Sequence, residues 1–260
     1  MTSYATRALD LSELAPGGSL STAFQDLHEP WRARGMTRWF SLIQRGGAWP
    51  VRVFGTSPAA DPTQLFGAIV AVGVTAPVVR FDDLLEGVAP PVSPSSAPAV
   101  WQLIAVTTVP SVRGEGLGRG LAEHAAAALA QESPAARLQT LSPASGLAAA
   151  MRALGSSDAN ATARLFADRV CDAGGRPWLA IQRFHQGNGA ALDAIRPDSR
   201  ADDRDSAKVT LCFGYPSAAS GRSAGRAAYA ARVAEAARRI AEADAALIPE
   251  IPGAYLLATA

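Results

Sequence analysis

The sequence predicts an α/β (α+β) chain, a sheet of short strands with helices laid against it and a C-terminal helical extension. Three observations carry this. Trp101–Val109 (WQLIAVTTV) is β-branched and apolar, runs into a glycine-rich turn, and is followed by Leu121, Ala125, Ala128 and Leu129 at helical spacing. Further strand-like runs stand at Pro50–Gly55 (PVRVFG), at Leu65–Val74 (LFGAIVAVGV) and in the alternation of Val209, Leu211, Phe213 and Tyr215. From Ser223 to Leu247 the chain is Ala, Arg and Glu with hardly a breaker, which predicts one long helix.

Taken in order, Leu20, Phe24, Leu27 and Trp31 mark one face of an amphipathic helix over residues 20–34. Residues 56–63 are predicted as a turn between the first two strands. The Pro- and Ser-rich stretch Asp82–Ala99 is a surface loop, long enough to be a lid over a substrate or simply an insertion. Leu138–Leu141 is a short strand, and Ser142-Pro143 is expected to open a helix carrying Leu147, Met151 and Leu154 to a stop at Gly155. Residues 158–172 are helical but irregular. Pro177 suits a first helical turn, with Trp178, Ile181 and Phe184 on one face and Gly187 and Gly189 as the stop. Ala190–Ile195 is a strand. The expected division is a lead-in at 1–34, a main domain at 35–216 and the extension at 217–260.

Composition removes several function classes. The 260 residues are 48% apolar and 18% charged, ordinary for a globular chain. Lys+Arg 24 against Asp+Glu 23 leaves a net charge of +1, without the cation surplus of a general nucleic-acid binder. Lys208 is the only lysine, so Schiff-base chemistry has one candidate at most. Cys171 and Cys212 lack metal-ligand spacing and have only His28, His124 and His185 to join them, so no metal site is expected. The longest apolar run, Leu65–Val79, is too short and too interrupted by Gly67, Gly73, Thr75 and Pro77 to span a membrane. Met1–Ser19 shows no apolar signal core, so the expectation is a cytoplasmic protein.

The chemistry begins at the glycine turn, Val109-Pro110-Ser111-Val112-Arg113-Gly114-Glu115-Gly116-Leu117-Gly118. Glycines between a strand and a helix let backbone approach a ligand, and the unpaired first-turn amides with the helix dipole suit a pyrophosphate. A dinucleotide fold would need an acidic residue about 20 positions on, at a strand end. Only Glu132, just ahead of Pro134, is there. A P-loop would need Gly-Lys-Ser/Thr, which is absent.

This stretch resembles the acyl-CoA-binding motif of the GNAT acyltransferase superfamily, Q/R-x-x-G-x-G/A, with Arg113, Gly116 and Gly118 at its defining positions. The resemblance implies a mixed central sheet flanked by helices. It implies that main chain from Arg113 through Gly114, Glu115, Gly116 and Leu117 to Gly118 binds the CoA pyrophosphate, and that groups near Thr108 and Val109 run beside the pantetheine arm.

Amine-acetylating members of that superfamily place a tyrosine four residues before a glycine, as the acid for the departing thiolate. Here His185 stands four before Gly189. Phe184-His185-Gln186-x-x-Gly189-Ala190, then Pro197-Asp198-Ser199-Arg200-x-x-Asp203 and a strand, resembles the GNAT-like domains of curacin-type polyketide loading modules. Phe81–Gly87 (FDDLLEG) resembles their substrate-side loop. Those domains decarboxylate malonyl-CoA and pass the acyl group to a carrier-protein thiol. They share the chemistry with malonyl-CoA decarboxylase, whose Leu-Ser-Pro segment resembles Thr140-Leu141-Ser142-Pro143. The resemblance implies His185, a hydroxyl at Thr140 and the cation Arg200 as catalytic residues, with the hydroxyl slot falling on Thr140 or one earlier on Gln139.

The implied substrate is a coenzyme A thioester, acetyl-CoA or malonyl-CoA, and the implied acceptor an acyl carrier protein. An N-acetyltransferase acting on a small-molecule amine and an inactive acyl-CoA-binding protein stay open beside it. The C-terminal helix is expected to pack on its own domain or in a homodimer through Ala227, Ala230, Ala231, Val233 and Ala237. Alternatively, it meets an acidic carrier through Arg222, Arg226, Arg232, Arg238 and Arg239.

Overall fold

A computed structural model of the chain describes residues 3–32, 50–78, 80–85, 97–112, 115–199 and 203–258. They form two compact units, Met1–Leu141 with Ser217–Ala219, and Ser142–Pro216 with Ser220–Ala260.

In the first unit, β1 (Tyr4–Leu9), β2 (Val51–Pro58), β3 (Gly67–Val74) and β4 (Val100–Thr108) pair antiparallel in that order. β5 (Arg137–Thr140) lies parallel to β4. A parallel neighbour needs a crossover, and α4 (Leu117–Glu132) provides it. Before it come α1 (Leu11–Leu14), α2 (Ser21–Arg32) and α3 (Phe81–Leu85). α1 starts on a capping box in which the Asp10 and Glu13 side chains each accept a backbone N–H. Every residue of β3 is buried, which is why it reads as an unbroken apolar run. α4 turns Leu117, Leu121, Ala125 and Leu129 into the core, and α2 buries Leu27 beside the fully enclosed Phe24. These faces match the 3.6-residue spacing at Leu20, Phe24, Leu27, Leu121, Ala125 and Leu129, whereas Ala128 is half-buried and the Trp31 side chain lies outside the described residues.

Two expectations for this unit change. Thr56–Pro58 are not a turn: they continue β2 because β1, unforeseen in the sequence, pairs with them as far as Tyr4↔Pro58. Within the 82–99 stretch, Asp82–Leu85 belong to α3, and residues 86–96 lie outside the described residues.

In the second unit, β9 (Thr210–Tyr215) pairs antiparallel with both β6 (Ser142–Pro143) and β8 (Ala191–Arg196). A smaller sheet runs β10 (Ala245–Leu247), β11 (Tyr255–Leu257), β7 (Val170–Cys171). The helices are α5 (Leu147–Leu154), α6 (Ala159–Arg169), α7 (Ala180–Gly187) and α8 (Ala219–Ala241). Ser142-Pro143 does not open a helix, because both residues pair with β9, and α5 begins only after Gly146 in a left-handed conformation. Pro177 is not a first helical turn either: it bridges to Cys171, and α7 starts three residues later.

The long C-terminal helix is α8, shorter than predicted, since 245–247 pair as β10. It packs on its own unit through backbone approach rather than through an alanine face. Gly225 meets the Gly189 carbonyl, and Gly175 lies against Val233 and Ala237. Ala227, Ala230 and Ala231 face solvent. The arginine row is also largely committed. Arg222 is buried and donates to the Pro216 carbonyl, Arg238 pairs with Glu235 and Glu242, and Arg239 pairs with Asp244 at 2.6 Å. A continuous basic face for an acidic carrier is therefore absent from this helix among the described residues.

Candidate active site

The strand that leads to the glycine turn changes character halfway along. A register shift against β3 leaves Ile104 without a partner, so a bulge interrupts the ladder. Val100–Ile104 are buried, whereas Ala105–Thr108 are half-exposed. Past Thr108, Pro110–Val112 make one 3-10 turn. Arg113 and Gly114 lie outside the described residues. The Val109 N–H donates to Phe66 and its carbonyl accepts from Val112, so neither group points outward to a ligand.

Gly116 sits at the N-cap of α4 with φ 81°, a conformation that favours glycine, and a Cβ placed there meets nothing within 4 Å. The turn therefore leaves open space above the amides of Leu117 and Gly118, which belong to the unpaired first-turn donors. No acidic residue lies in that first turn. The Glu115 carboxylate, just outside it, accepts a hydrogen bond from the Tyr4 hydroxyl at 2.9 Å. Gly116→Asp should leave the fold intact, because aspartate tolerates this backbone region and the space is open. It should weaken CoA binding by about 2 kcal/mol, roughly thirtyfold, through a carboxylate among amide donors. Calorimetric affinity equal to wild type in a folded variant would remove the cradle from this turn.

In the second unit, His185 occupies the last turn of α7 and is wholly buried. Its Nε2 lies 2.8 Å from Ser142 Oγ and its Nδ1 lies 2.9 Å from the Tyr215 hydroxyl. Phe213 stacks on the ring at 4.7 Å, and Phe184 meets it edge-on at 5.0 Å. Strand β6 presents Ser142 and strand β9 presents Phe213 and Tyr215, two residues apart and so on one face. Asn188 hydrogen-bonds the Tyr215 hydroxyl.

Burial pushes the Tyr215 pKa well above its ordinary range, only partly offset by the bond to Asn188, so the tyrosine keeps its proton. With Tyr215 donating to Nδ1, Nε2–H donates to Ser142 and the Ser142 proton is the one free for a ligand; in the other tautomer the donors run the opposite way.

Burial also pushes the His185 pKa down from 6.5 to about 3. The imidazole is therefore neutral throughout the physiological range. Below pH 6.5 an unfolded chain takes up a proton that the folded chain refuses, so stability falls as pH drops from 6.5 toward 3. At pH 5 the loss from this residue should be about 2 kcal/mol. Buried His28, lowered to about 4, adds a loss of the same sign. Denaturant midpoints at pH 7 and pH 5 check this: His185→Gln should flatten the slope, and an unchanged slope would contradict a neutral buried imidazole.

Of the sequence-predicted catalytic residues, His185 sits in this cluster. Thr140 is wholly buried in β5 of the first unit, opposite Leu103, and the hydroxyl at Nε2 belongs to Ser142 instead. Gln139, the other occupant considered for the slot, accepts a hydrogen bond from Gln102 at 3.1 Å. Arg200 lies outside the described residues. Ser142, Tyr215 and Asn188 were not singled out in the sequence. Leu141-Ser142-Pro143 held the one available signal, as a segment resembling that of malonyl-CoA decarboxylase. Among the described residues no cluster of His, Cys, Asp and Glu could hold a metal, and no helix is long and apolar enough to cross a membrane.

No family model matches the chain, and no curated protein matches it. Solved structures do. Malonyl-CoA decarboxylase from Rhodopseudomonas palustris superposes with a TM-score of 0.68 at 17% identity, over 90% of this chain and 62% of that one. The loading GNATL domain of CurA from Lyngbya majuscula gives 0.57 at 18% identity, over 83% of this chain and 98% of that domain. The GphF GNAT-like decarboxylase, solved with isobutyryl-CoA, gives 0.55 at 22% identity, over 82% and 100%. The chain thus spans about three fifths of the length of the Rhodopseudomonas decarboxylase and nearly the whole of the two GNAT-like domains. With its mixed sheet, flanking helices and glycine turn at the head of α4, the chain has the GNAT fold.

Proposed function

We propose that this chain is an acyl-CoA-dependent enzyme that decarboxylates malonyl-CoA and transfers the resulting acetyl group to the thiol of an acyl carrier protein, in a bacterial biosynthetic pathway of the cytoplasm. The observation that carries the reading is the Ser142–His185–Tyr215 relay, a hydroxyl held by a neutral imidazole in a desolvated aromatic surround.

Its chemistry suits the reaction. Loss of carbon dioxide breaks the bond between the malonyl carboxyl carbon and C2. The electron pair enters the thioester as an enolate, with negative charge on oxygen. A hydroxyl aimed at that oxygen stabilises it, and more effectively where water is excluded. We assign that role to Ser142 rather than Thr140, with His185 holding the Ser142 proton outward and Tyr215 fixing the ring. Ser142 gives its proton to C2, completing the acetyl thioester, and regains one from water, so His185 stays neutral and Tyr215 keeps its own proton. Transfer then needs attack by the carrier thiol, a tetrahedral oxyanion that the same hydroxyl stabilises, and departure of the CoA thiolate, which takes up the proton that the carrier thiol gives up. The amides of Leu117 and Gly118, with Arg113, Gly114 and Gly116, are assigned to the CoA pyrophosphate, and Arg200 to the malonyl carboxylate. The similar structures, a malonyl-CoA decarboxylase and a GNAT-like decarboxylase, support the reading at the level of the fold.

The acceptor is tested by offering acetyl-CoA with either pantetheine thiol or a panel of small amines. Acetylated thiol at a rate well above that of amine supports the assignment. Amine acylation alone makes the chain an N-acetyltransferase, and CoA binding without either product makes it an acyl-CoA binder.

A further inference from the structure

The first unit sets one carboxylate beside the helix start assigned to the CoA pyrophosphate, and ties it to a residue 111 positions away in the chain. Glu115 immediately precedes Gly116, the N-cap of α4. That N-cap has no side chain to offer, and no side chain caps the helix. The amides of Leu117 and Gly118 are therefore left for a ligand.

A carboxylate so close to a helix start has a natural partner in it. Unpaired amides and the positive end of the dipole attract an anion, whether it belongs to a side chain or to a ligand. Glu115 does not take that place. Among the described residues its carboxylate makes a single hydrogen bond, accepted from the Tyr4 hydroxyl at 2.9 Å.

Tyr4 is itself fixed. It opens β1, in register with Pro58 of β2. Its ring meets Phe66 edge-on, with centroids 5.9 Å apart. The Phe66 carbonyl accepts the Val109 N–H at 2.9 Å, where the glycine turn begins. The phenol and the turn are thus both tied to Phe66, and the hydroxyl reaches Glu115 from a paired strand. Glu115 is exposed, so water could solvate its carboxylate in place of the phenol. A hydrogen bond exchanged with water contributes only modestly to stability. What the tyrosine adds is direction.

We infer that Tyr4 is a positioning residue for acyl-CoA binding: it holds the Glu115 carboxylate off the amides of Leu117 and Gly118 and keeps them for the pyrophosphate. The inference rests on the acyl-CoA reading and extends its binding determinants to β1. Without the hydroxyl the carboxylate swings to the helix start, where it occupies donors and repels the phosphates.

The test compares Tyr4→Phe, which keeps the ring on Phe66, with Glu115→Gln and with the double variant. CoA affinity is read by calorimetry, and KM and kcat with malonyl-CoA by steady-state kinetics. Tyr4→Phe should weaken CoA binding about fourfold, the scale of one charge at an exposed helix terminus, at a melting temperature near wild type. It should raise KM by a similar factor and leave kcat alone, because the change acts at the phosphates. Glu115→Gln should bind CoA at least as tightly as wild type. Tyr4→Phe added to it should change nothing, since the charge to be held is gone. Wild-type affinity in Tyr4→Phe would overturn the inference. So would a loss that persists in full with Gln at position 115, because the hydroxyl would then act on CoA itself or on the fold. Either result, with the wild-type protein still binding CoA, leaves the acyl-CoA reading standing. A wild-type protein that binds no CoA overturns that reading and this inference together.

Discussion

Replacing His185 by Ala should lower kcat for malonyl-CoA by about 10²- to 10⁴-fold, the usual contribution of a positioned proton-transfer group. CoA affinity should stay near wild type, because the imidazole acts at the thioester and not at the phosphates. Ser142→Ala should fall in the same range, and the double variant should lose little more than either single one, since the two side chains act as one unit through their 2.8 Å hydrogen bond. Tyr215→Phe keeps the ring packing and removes only the group that orients Nδ1, so about a tenfold loss is expected. A neutral imidazole with a pKa near 3 also predicts that kcat shows no acid limb around pH 6.5. Steady-state rates of these four variants and of Thr140→Val, with affinities from calorimetry, separate these outcomes. If Ser142→Ala turns over at the wild-type rate while Thr140→Val does not, the hydroxyl has been assigned to the wrong residue.

Gly189→Ala should destabilise the protein by on the order of 3 kcal/mol. The backbone there has φ 89°, which costs an L side chain about 1 kcal/mol or more. In addition, a Cβ would lie 2.2 Å from the Arg222 carbonyl oxygen of α8, an overlap with backbone that rotamer adjustment does not relieve. The effect should reach the relay, because the His185 carbonyl accepts the Ala190 and Asn188 amides on either side of this glycine. Chemical denaturation measures the loss directly. A midpoint within experimental error of wild type would mean that α8 does not approach the loop after α7 as closely as described.

What the sequence made legible follows from the range of the interactions involved. β4, the glycine turn and α4 are local patterns, and each stands where spacing put it. β6 was misread because two residues are too few to show a period, and Ser142-Pro143 looks like a helix opening until β9, almost seventy residues on, pairs with it. His185 was found through its neighbours in sequence. Its hydrogen-bond partners are 43 and 30 residues away, Ser142 on one strand and Tyr215 on another, and no local signal joins them. The docking of α8 was missed for a similar reason. It depends on Gly189, Gly225 and Gly175 admitting backbone, and a contact made by the absence of a side chain leaves no hydrophobic pattern.

Product analysis of malonyl-CoA bears most directly on the relay as the seat of chemistry. Wild-type protein and His185→Ala are incubated with malonyl-CoA in D₂O, and the thioesters are read by mass spectrometry. The relay predicts acetyl-CoA, or acetylated carrier thiol, carrying deuterium at C2 from wild type and little from the variant. Malonyl-CoA returned intact by the wild-type protein, or equal decarboxylation by both, would contradict it.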